Sequence, residues 1–349
     1  MRIIMYPGFG VADENRYIDI LTSALRTIGH TVEPWRKHFS LQKGDIFHIH
    51  WPEIIAEIHD RPYHRLRGFW IQQLFFATIR RVKAQGGRVA WTVHDLTPHD
   101  AKLRQSGFLQ DFMRRFMSQV DIVLTLTEAG SSQIRAALPG LDHAPIILTR
   151  HPHYRGIFSE MTSDLGLREQ LGVTAEQTLF SFLGSLRPNK RPELVVAAIN
   201  QMNPSKFFLL MAGSAKADIA SQVTKLADMT PHIRLDLRRI PEMEMRRMYA
   251  ASDILVFPGT DYFNSGTIYN ALSLNLPVVA AFSPANRELQ QLVGREWLYL
   301  YEGNLTPVVL QEARDQLVQR RLGSVCDLSA FDPLLVARQH IDAYTVTIR

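Results

Sequence analysis

Three histidine-containing segments carry side chains in the first half of the chain that could do chemistry: HIHWPE at 48–53, TVHDLTPHD at 92–100 and RHPHY at 150–154. Each begins at the end of a short apolar run, so its polar residues are expected at the carboxyl end of a strand. A polar cleft there suits recognition of sugar hydroxyls and general-base chemistry. The residues predicted to line it are His94, His99, Asp100, Glu53 and His153.

Two other interpretations of the histidines stay open. His48 and His50 are two positions apart on a strand and point the same way, which would suit a metal ion. Because no cysteine joins them and the His-x-x-x-His spacing of a helical zinc site is absent, we predict no metal. The other interpretation is that most of these histidines are structural groups with satisfied hydrogen bonds.

A basic cluster marks the second half, in FSFLGSLRPNKRPELVVAA at 180–198. The pattern predicts a strand, a Gly-Ser turn and then a helix, with Arg187 and Lys190 in the connecting loop. Both cations can therefore reach a ligand at the carboxyl edge of the sheet. An arginine fork beside a lysine point charge suits a diphosphate.

Four small polar residues interrupt an apolar run in DYFNSGTIYNALSLNLPVVAAF at 261–282: Asn264, Ser265, Gly266 and Thr267. They follow a predicted strand and precede a predicted helix, so they are expected to cap that helix. The same helix start can bind an anion, and Gly266 would let a phosphate approach the backbone closely. We predict both roles.

The first strand is followed by a turn with two glycines, YPGFGVADEN at 6–15. Gly8 and Gly10 begin a G-x-G-x-x-G pattern, but Asp13 stands at the third glycine position, which disfavours a dinucleotide site. A turn around Gly8 that binds a ligand and a purely structural turn both stay open.

These residues need a scaffold, and the chain alternates short β-branched or aromatic runs with segments of helical period. The apolar stripe of 16–28, which ends at Gly29, is one such helix. The pattern predicts two Rossmann-like domains with parallel sheets facing a central cleft. The predicted domains are residues 1–160 and 161–330, with a C-terminal helix in 331–349 that could pack back on the first. The predicted strands lie near 3–6, 46–49, 89–93, 122–126, 146–148, 179–183, 207–211, 233–237, 254–257 and 278–282.

Length and composition agree with this organisation. A chain of 349 residues with 46% hydrophobic and 21% charged residues is typical of two globular domains. The single cysteine, Cys326, allows no internal disulfide. The start of the chain lacks a signal-peptide pattern, and the longest apolar runs are only strand-sized. We therefore expect a soluble or peripheral protein.

The positive charge is concentrated at one end of the chain. Residues 1–150 hold 19 Lys and Arg against 14 Asp and Glu, whereas the remaining residues hold 20 of each. This bias suggests a phosphate-bearing substrate, an anionic lipid surface or nucleic acid, or simply a solvated basic face. No helix-turn-helix, zinc or RNP pattern supports nucleic acid. Segment 59–76 interleaves arginines with aromatics, which suits either a membrane contact or a core helix.

Taken together, the quoted segments and VGREWLYLYEG at 293–303 resemble glycosyltransferase family 94, whose members have the GT-B fold. This is the family of the β-mannosyltransferase of xanthan assembly. The resemblance covers most of the chain in the right order. It implies an inverting transfer of mannose from GDP-mannose to a polyprenyl-diphosphate-linked oligosaccharide in exopolysaccharide synthesis. It also implies a peripheral location on the cytoplasmic face of the membrane, and no cofactor.

The resemblance also implies roles for the candidate residues. The donor diphosphate would contact Arg187, Lys190, Asn264, Ser265, Gly266 and Thr267. The sugar and acceptor would lie near Gly8, His94, His151, His153 and Tyr154. Asp100 is the predicted base, with His99 and Glu53 as alternatives.

One departure from the wider fold family concerns mechanism. Retaining GT-B enzymes carry two glutamates eight positions apart near this helix, where the present chain has Tyr262 and Asn270. Their replacement favours an inverting enzyme. A transferase with another nucleotide-sugar donor, a nucleotide-sugar epimerase and a non-catalytic binding protein stay open as alternatives.

Overall fold

A computed structural model describes residues 1–8, 16–36, 40–55, 65–96, 106–158, 166–227, 230–260, 263–318 and 323–346. The chain forms two compact units. The first comprises Met1–Pro152 with Phe331–Arg349, and the second comprises His153–Ala330. The second unit thus begins shortly before the predicted boundary at residue 160.

The first unit is built on a six-stranded parallel sheet in the order β2-β1-β3-β4-β5-β6. Most of its strands are buried, as expected for a parallel sheet with helices over both faces. The strands are β1 (Arg2–Tyr6), β2 (Thr31–Pro34), β3 (Ile46–Ile49), β4 (Arg88–Thr92), β5 (Ile122–Thr125) and β6 (Ile146–Leu148). The helices between them are α1 (Tyr17–Thr27), α2 (Arg65–Ala84), α3 (Gly107–Met117) and α4 (Glu128–Ala137).

The second unit has its own six-stranded parallel sheet, in the order β12-β11-β10-β7-β8-β9. Its strands are β7 (Thr178–Leu183), β8 (Phe207–Ala212), β9 (Ile233–Asp236), β10 (Ile254–Phe257), β11 (Val278–Ala281) and β12 (Leu298–Tyr301). Its helices are α5 (Arg155–Phe158), α6 (Leu167–Leu171), α7 (Pro192–Ile199), α8 (Ala217–Ala227), α9 (Glu242–Ala251), α10 (Gly266–Ser273), α11 (Pro284–Val293) and α12 (Pro307–Val318). Two parallel α/β sheets confirm the predicted fold class.

The last helix, α13 (Pro333–Thr345), belongs to the first unit and packs on α1. Its apolar side chains Val336 and Ala337 join the core that α1 forms with the sheet. The Arg88 guanidinium donates to the backbone oxygens of Tyr344 and Val346, which ties the end of α13 to β4. In the described part of the chain, no helix combines the length and apolarity needed to cross a membrane.

Candidate active site

The strand order reverses once in each sheet, between β1 and β3 in the first and between β7 and β10 in the second. Open α/β sheets bind ligands beyond the carboxyl ends of the strands that flank such a reversal. Gly8 and His50 follow β1 and β3, whereas residues 184–190 and 258–267 follow β7 and β10. The predicted donor residues of the second unit therefore lie at its reversal point.

The turns after β7 and β8 each need a glycine. Gly184 has φ 104° and Gly213, after β8, has φ 146°. A Cβ on Gly213 would lie 2.0 Å from the carbonyl oxygen of Gly184, so no side chain fits between the two loops. The Leu186 N–H also donates to the Ser214 oxygen over 2.8 Å. The backbone after β7 is therefore held firmly against the backbone after β8.

The structure brings Lys190 and Thr267 together at this turn. A Cβ on Gly184 would lie 3.7 Å from the Lys190 Nζ and 3.9 Å from the Thr267 Oγ1. The Lys190 ammonium, from the turn after β7, and the Thr267 hydroxyl, from the first turn of α10, thus border one small space beside Gly184. This cluster of Gly184, Lys190 and Thr267 is called the clamp below. Arg187 lies one turn before Lys190 and is exposed.

The start of α10 differs from the predicted cap. Ser265 is the N-cap residue, but its side chain makes no capping hydrogen bond. The Ile268 N–H donates instead to the backbone oxygen of Ser265, 3.2 Å away. The N–H groups of Gly266 and Thr267 have no acceptor in the described residues. The capping prediction is therefore wrong for Ser265, and the start of α10 stays open to an anion.

Other helices of the chain can be compared with α10 by the hydrogen bonds of their N-cap side chains. Four helices have N-cap side chains that accept bonds from the first turn in the usual way. These caps are Ser106 on α3, Thr127 on α4, Ser283 on α11 and Asp332 on α13. Other described helices begin at Arg16, Gly166, Arg191 or Pro241 and also have no side-chain cap. Ser265 differs from the serine, threonine and aspartate N-caps given for the described helices, whose side chains all cap.

Two further side chains border the start of α10. The Nδ2 of Asn264 is buried and has no hydrogen-bond partner among the described residues. The hydroxyl of Tyr154 lies 3.3 Å from the position of a Cβ on Gly266. The Tyr154 N–H donates to the Ser273 Oγ over 2.9 Å, which anchors this tyrosine on α10. Burial, with the nearby Tyr249 and Tyr269, raises the pKa of Tyr154.

Sequence reasoning placed some of these residues differently. Tyr154 and His153 were grouped with the acceptor residues of the first half, but both belong to the second unit. Gly184 was not among the predicted site residues, although the Gly-Ser turn after a strand was visible in the sequence. Ser273 was missed because nothing in the sequence indicates that its hydroxyl would hold Tyr154.

The histidines of the first unit form a buried cluster. Both ring nitrogens of His48 have a hydrogen-bond partner. The Nε2 lies 2.8 Å from the Thr92 Oγ1, and the Nδ1 lies 2.7 Å from the Tyr344 hydroxyl oxygen. The His50 Nδ1 lies 3.0 Å from the His94 Nε2. His94 stacks on Trp51 with ring centroids 4.3 Å apart. His48 therefore fits the structural interpretation.

The rest of the cluster surrounds Tyr17. Its ring centroid lies 4.9 Å from that of His94 and 5.0 Å from that of His151. The His151 Nδ1–H donates to the Pro152 oxygen over 2.8 Å. On α13, the His340 Nδ1–H donates likewise to the Val336 oxygen over 2.8 Å. His151, predicted to border the sugar, is itself only 3% exposed.

All five histidines are held neutral. Burial lowers the pKa of His94 to about 3 and those of His151 and His340 to about 4. Burial, together with neighbouring imidazoles, also lowers the pKa values of His48 and His50 well below the ordinary value. Among the residues that the structure describes, no group of three His, Cys, Asp or Glu side chains could hold a metal ion.

The remaining candidates are spread around the first unit. Gly8 lies against Pro34, where a Cβ would approach to 2.7 Å, so this turn needs glycine. Glu53 is half-buried in a short helical segment after β3. His99 and Asp100 lie outside the described residues, and the base stays a prediction.

Known proteins similar to this chain agree with the fold. Residues 177–313 match the family described as Glycosyl transferases group 1. Over 340 residues, the chain is 27% identical to GDP-mannose:glycolipid 4-beta-D-mannosyltransferase of Xanthomonas campestris pv. campestris, with 95% of this chain and 88% of that protein covered.

Solved structures show the same architecture. Sucrose-phosphate synthase from Thermosynechococcus elongatus matches with a TM-score of 0.63 at 14% identity, over 99% of this chain and 94% of that one. The E. coli trehalose-6-phosphate structure bound with UDP-2-fluoro glucose matches with a TM-score of 0.67 at 11% identity, over 99% and 100%. These neighbours have the GT-B fold. Together, the matches support a glycosyltransferase of the GT-B fold, in which residues 177–313 match the group 1 family.

Proposed function

We propose that this protein is an inverting β-mannosyltransferase that uses GDP-mannose and a glycolipid acceptor. The observation that carries the proposal is the open start of α10 beside the clamp, because N–H groups, a hydroxyl and an ammonium there suit a diphosphate. GDP-mannose and glycolipid are what the name of the Xanthomonas relative says of that protein. Resemblance to glycosyltransferase family 94 supports the same donor.

In this mechanism the second unit stabilises the leaving group. As the bond between the sugar and the diphosphate breaks, negative charge grows on the diphosphate. Lys190 and the N–H groups of Gly266 and Thr267 would stabilise that charge, and such fixed donors contribute most where water is excluded. The exposed side chain of Arg187 would approach the diphosphate from the solvent side. The close approach of Gly213 to Gly184 holds the backbone of the turn that carries Lys190 in place before the substrate arrives.

Inversion needs a single displacement and a base near the acceptor hydroxyl. The base we propose is Asp100, with His99 and Glu53 as alternatives. The side chain of Asn270, on α10, stands at one of the two positions where retaining enzymes carry glutamate. An amide there supports the inverting mechanism, because it cannot supply the negative charge of a carboxylate.

The donor is tested by thermal stability in the presence of GDP, UDP and ADP. GDP at a hundred times its Kd should stabilise the second unit by about 2.7 kcal/mol, whereas UDP and ADP at the same concentration should shift the melting temperature much less. Equal shifts with all three nucleotides would contradict guanine selectivity. Incubation with GDP-mannose alone tests the epimerase alternative, because an epimerase would convert the sugar whereas a transferase would at most hydrolyse it slowly.

A glycolipid acceptor would bring the protein to a membrane, and exposed apolar side chains of the first unit suggest which surface makes that contact. The first turns of α2 expose Leu66, Phe69 and Trp70, with 79%, 44% and 68% of their surfaces accessible. The exposed Arg67 lies among them. Further along the same helix, Phe75 and Phe76 are buried in the core. We propose that the exposed end of α2 contacts an anionic membrane, on the cytoplasmic face, where its aromatics and cation would both be favoured.

Liposome co-sedimentation tests this contact. The protein should bind vesicles that contain anionic lipid at low salt, and replacing Leu66, Phe69 and Trp70 together with serine should weaken binding by at least about tenfold, because that apolar area no longer enters the bilayer. Met243→Ser on α9, which is 55% exposed, is the matched control. Unchanged binding of the triple variant would remove α2 from the membrane contact.

A further inference from the structure

His50 and His94 are hydrogen-bonded to each other in the first unit, at the carboxyl ends of neighbouring strands β3 and β4. The His50 Nδ1 and the His94 Nε2 are 3.0 Å apart. His50 is 1% exposed and His94 is 9% exposed. Each ring carries one proton, because burial disfavours the imidazolium form. One nitrogen of the bonded pair must therefore donate and the other must accept.

The two possible arrangements differ in what they leave buried. The Nε2 of His50 is buried and has no hydrogen-bond partner among the residues that the structure describes. If His94 donated, His50 would carry its proton on Nε2, and an N–H donor would be buried without an acceptor. If His50 donates from Nδ1, only a lone pair is left on Nε2. Native proteins bury unpaired acceptors more readily than unpaired N–H donors.

We infer that His50 is a positioning residue that carries its proton on Nδ1 and thereby holds His94 in the Nδ1–H tautomer. The neighbouring rings follow the same pattern. His151 and His340 each donate from Nδ1 to a backbone carbonyl oxygen, which can only accept. The His340 Nε2 is likewise a buried nitrogen that has no partner within the described part of the chain. Three rings around His94 are thus Nδ1–H tautomers.

The tautomer decides what His94 can do. Its Nε2 is occupied by His50, so Nδ1 is the ring nitrogen that can contact a ligand, and it presents a proton. His94 is therefore a hydrogen-bond donor to a sugar or phosphate oxygen at neutral pH and does not act as the base. This consequence for the ligand rests on the proposed function, whereas the tautomer of His94 does not.

Long-range ¹H–¹⁵N correlation spectra of the full chain labelled with ¹⁵N-histidine test the inference, because protonated and unprotonated ring nitrogens have well separated ¹⁵N shifts. The signals of His50 and His94 are assigned by their loss in His50→Asn and His94→Asn. We expect both residues to show a protonated Nδ1 and an unprotonated Nε2 at pH 7.5. A protonated Nε2 on His94 would overturn the inference.

A pair of variants of equal size tests the positioning role. In His50→Asn the amide can still donate to the His94 Nε2, whose signal should stay that of an unprotonated nitrogen. In His50→Asp the carboxylate can only accept, so the His94 Nε2 should become protonated and its signal should move to the protonated range. An unmoved His94 Nε2 signal in a folded His50→Asp variant would show that His50 does not set the tautomer. If His50→Asp does not fold, the wild-type spectrum still decides which nitrogen of His94 carries the proton.

Mannosyl transfer gives a separate measurement. His50→Asp should lower kcat/KM by at least about tenfold, because a histidine in the wrong tautomer cannot make its contact, and His50→Asn should restore most of that loss. Should the wild-type protein show the expected spectrum but no mannosyl transfer, the proposed function would fail and the tautomer assignment would stand.

Discussion

Lys190→Ala should weaken GDP binding by roughly ten- to a hundredfold, since a charge-assisted hydrogen bond contributes about 1.5–3 kcal/mol. The Lys190 Nζ lies 3.7 Å from the Cβ position of Gly184, beside the Thr267 hydroxyl. Removing the ammonium would leave the diphosphate with the α10 N–H groups, Thr267 and the exposed Arg187. Isothermal titration with GDP measures the change in Kd directly.

The same variant should lose still more in catalysis. Charge grows on the diphosphate as the sugar leaves, so the contact is stronger in the transition state than in the bound donor. We therefore expect kcat to fall as well as the affinity for GDP-mannose. Lys225→Ala, at the exposed end of α8, is the control and should match the wild type. Wild-type GDP affinity in Lys190→Ala would show that the clamp does not hold the diphosphate.

The first unit should lose much of its stability on mild acidification, because it buries five neutral histidines. These are His48, His50, His94, His151 and His340. In the unfolded chain they titrate near pH 6.5, whereas in the folded unit their pKa values are lowered, to about 3 for His94 and about 4 for His151 and His340. The unfolded state therefore binds more protons below pH 6.5. Stability is present above that pH and is lost as the pH falls towards 4.

The expected loss in the free energy of unfolding is large. Each buried histidine contributes a slope of about 1.4 kcal/mol per pH unit, so five together contribute up to about 7 kcal/mol per unit. A domain of ordinary stability has only about 5–15 kcal/mol in total. Between pH 6.5 and 5 most carboxyl groups stay ionised, so the histidines dominate this window.

Urea unfolding at pH 7.5, 6.0 and 5.0, followed by circular dichroism, measures this loss as a fall in the free energy of unfolding. His340→Gln removes one titrating ring and should make the slope shallower by about 1.4 kcal/mol per pH unit. The same free energy of unfolding at pH 7.5 and 5.0 would contradict the neutral cluster.

Local sequence patterns predicted most of the scaffold and missed two strands. The strands with continuous apolar runs, such as β7 and β8, were predicted because burial on both faces selects apolar residues throughout. The two missed strands, β2 and β12, are both at the edge of a sheet. Edge position alone does not explain this, because the edge strands β6 and β9 were predicted. β2 contains Glu33 and ends in a proline, which weakens its strand pattern, whereas β12 has residues typical of a strand and was not predicted.

Segment 59–76 shows a different limit of prediction from sequence. The sequence allowed either a membrane contact or a core helix, and the described part of this segment has both buried and exposed aromatic side chains. Phe75 and Phe76 are buried while Leu66, Phe69 and Trp70 are exposed. Composition cannot separate these residues, because which of them enters the core depends on how α2 lies on the sheet.

By itself, the sequence determined the α/β class, the two-unit organisation and the polar segments that follow particular strands, because these properties depend on local periodicity and on which residue types follow an apolar run. Only the tertiary structure decided which of these segments meet. Lys190 and Thr267 lie together at Gly184 because β7 and β10 are neighbours at the reversal of strand order. His50 reaches His94 because β3 pairs with β4. Strand order arises from long-range pairing, which a local pattern does not encode.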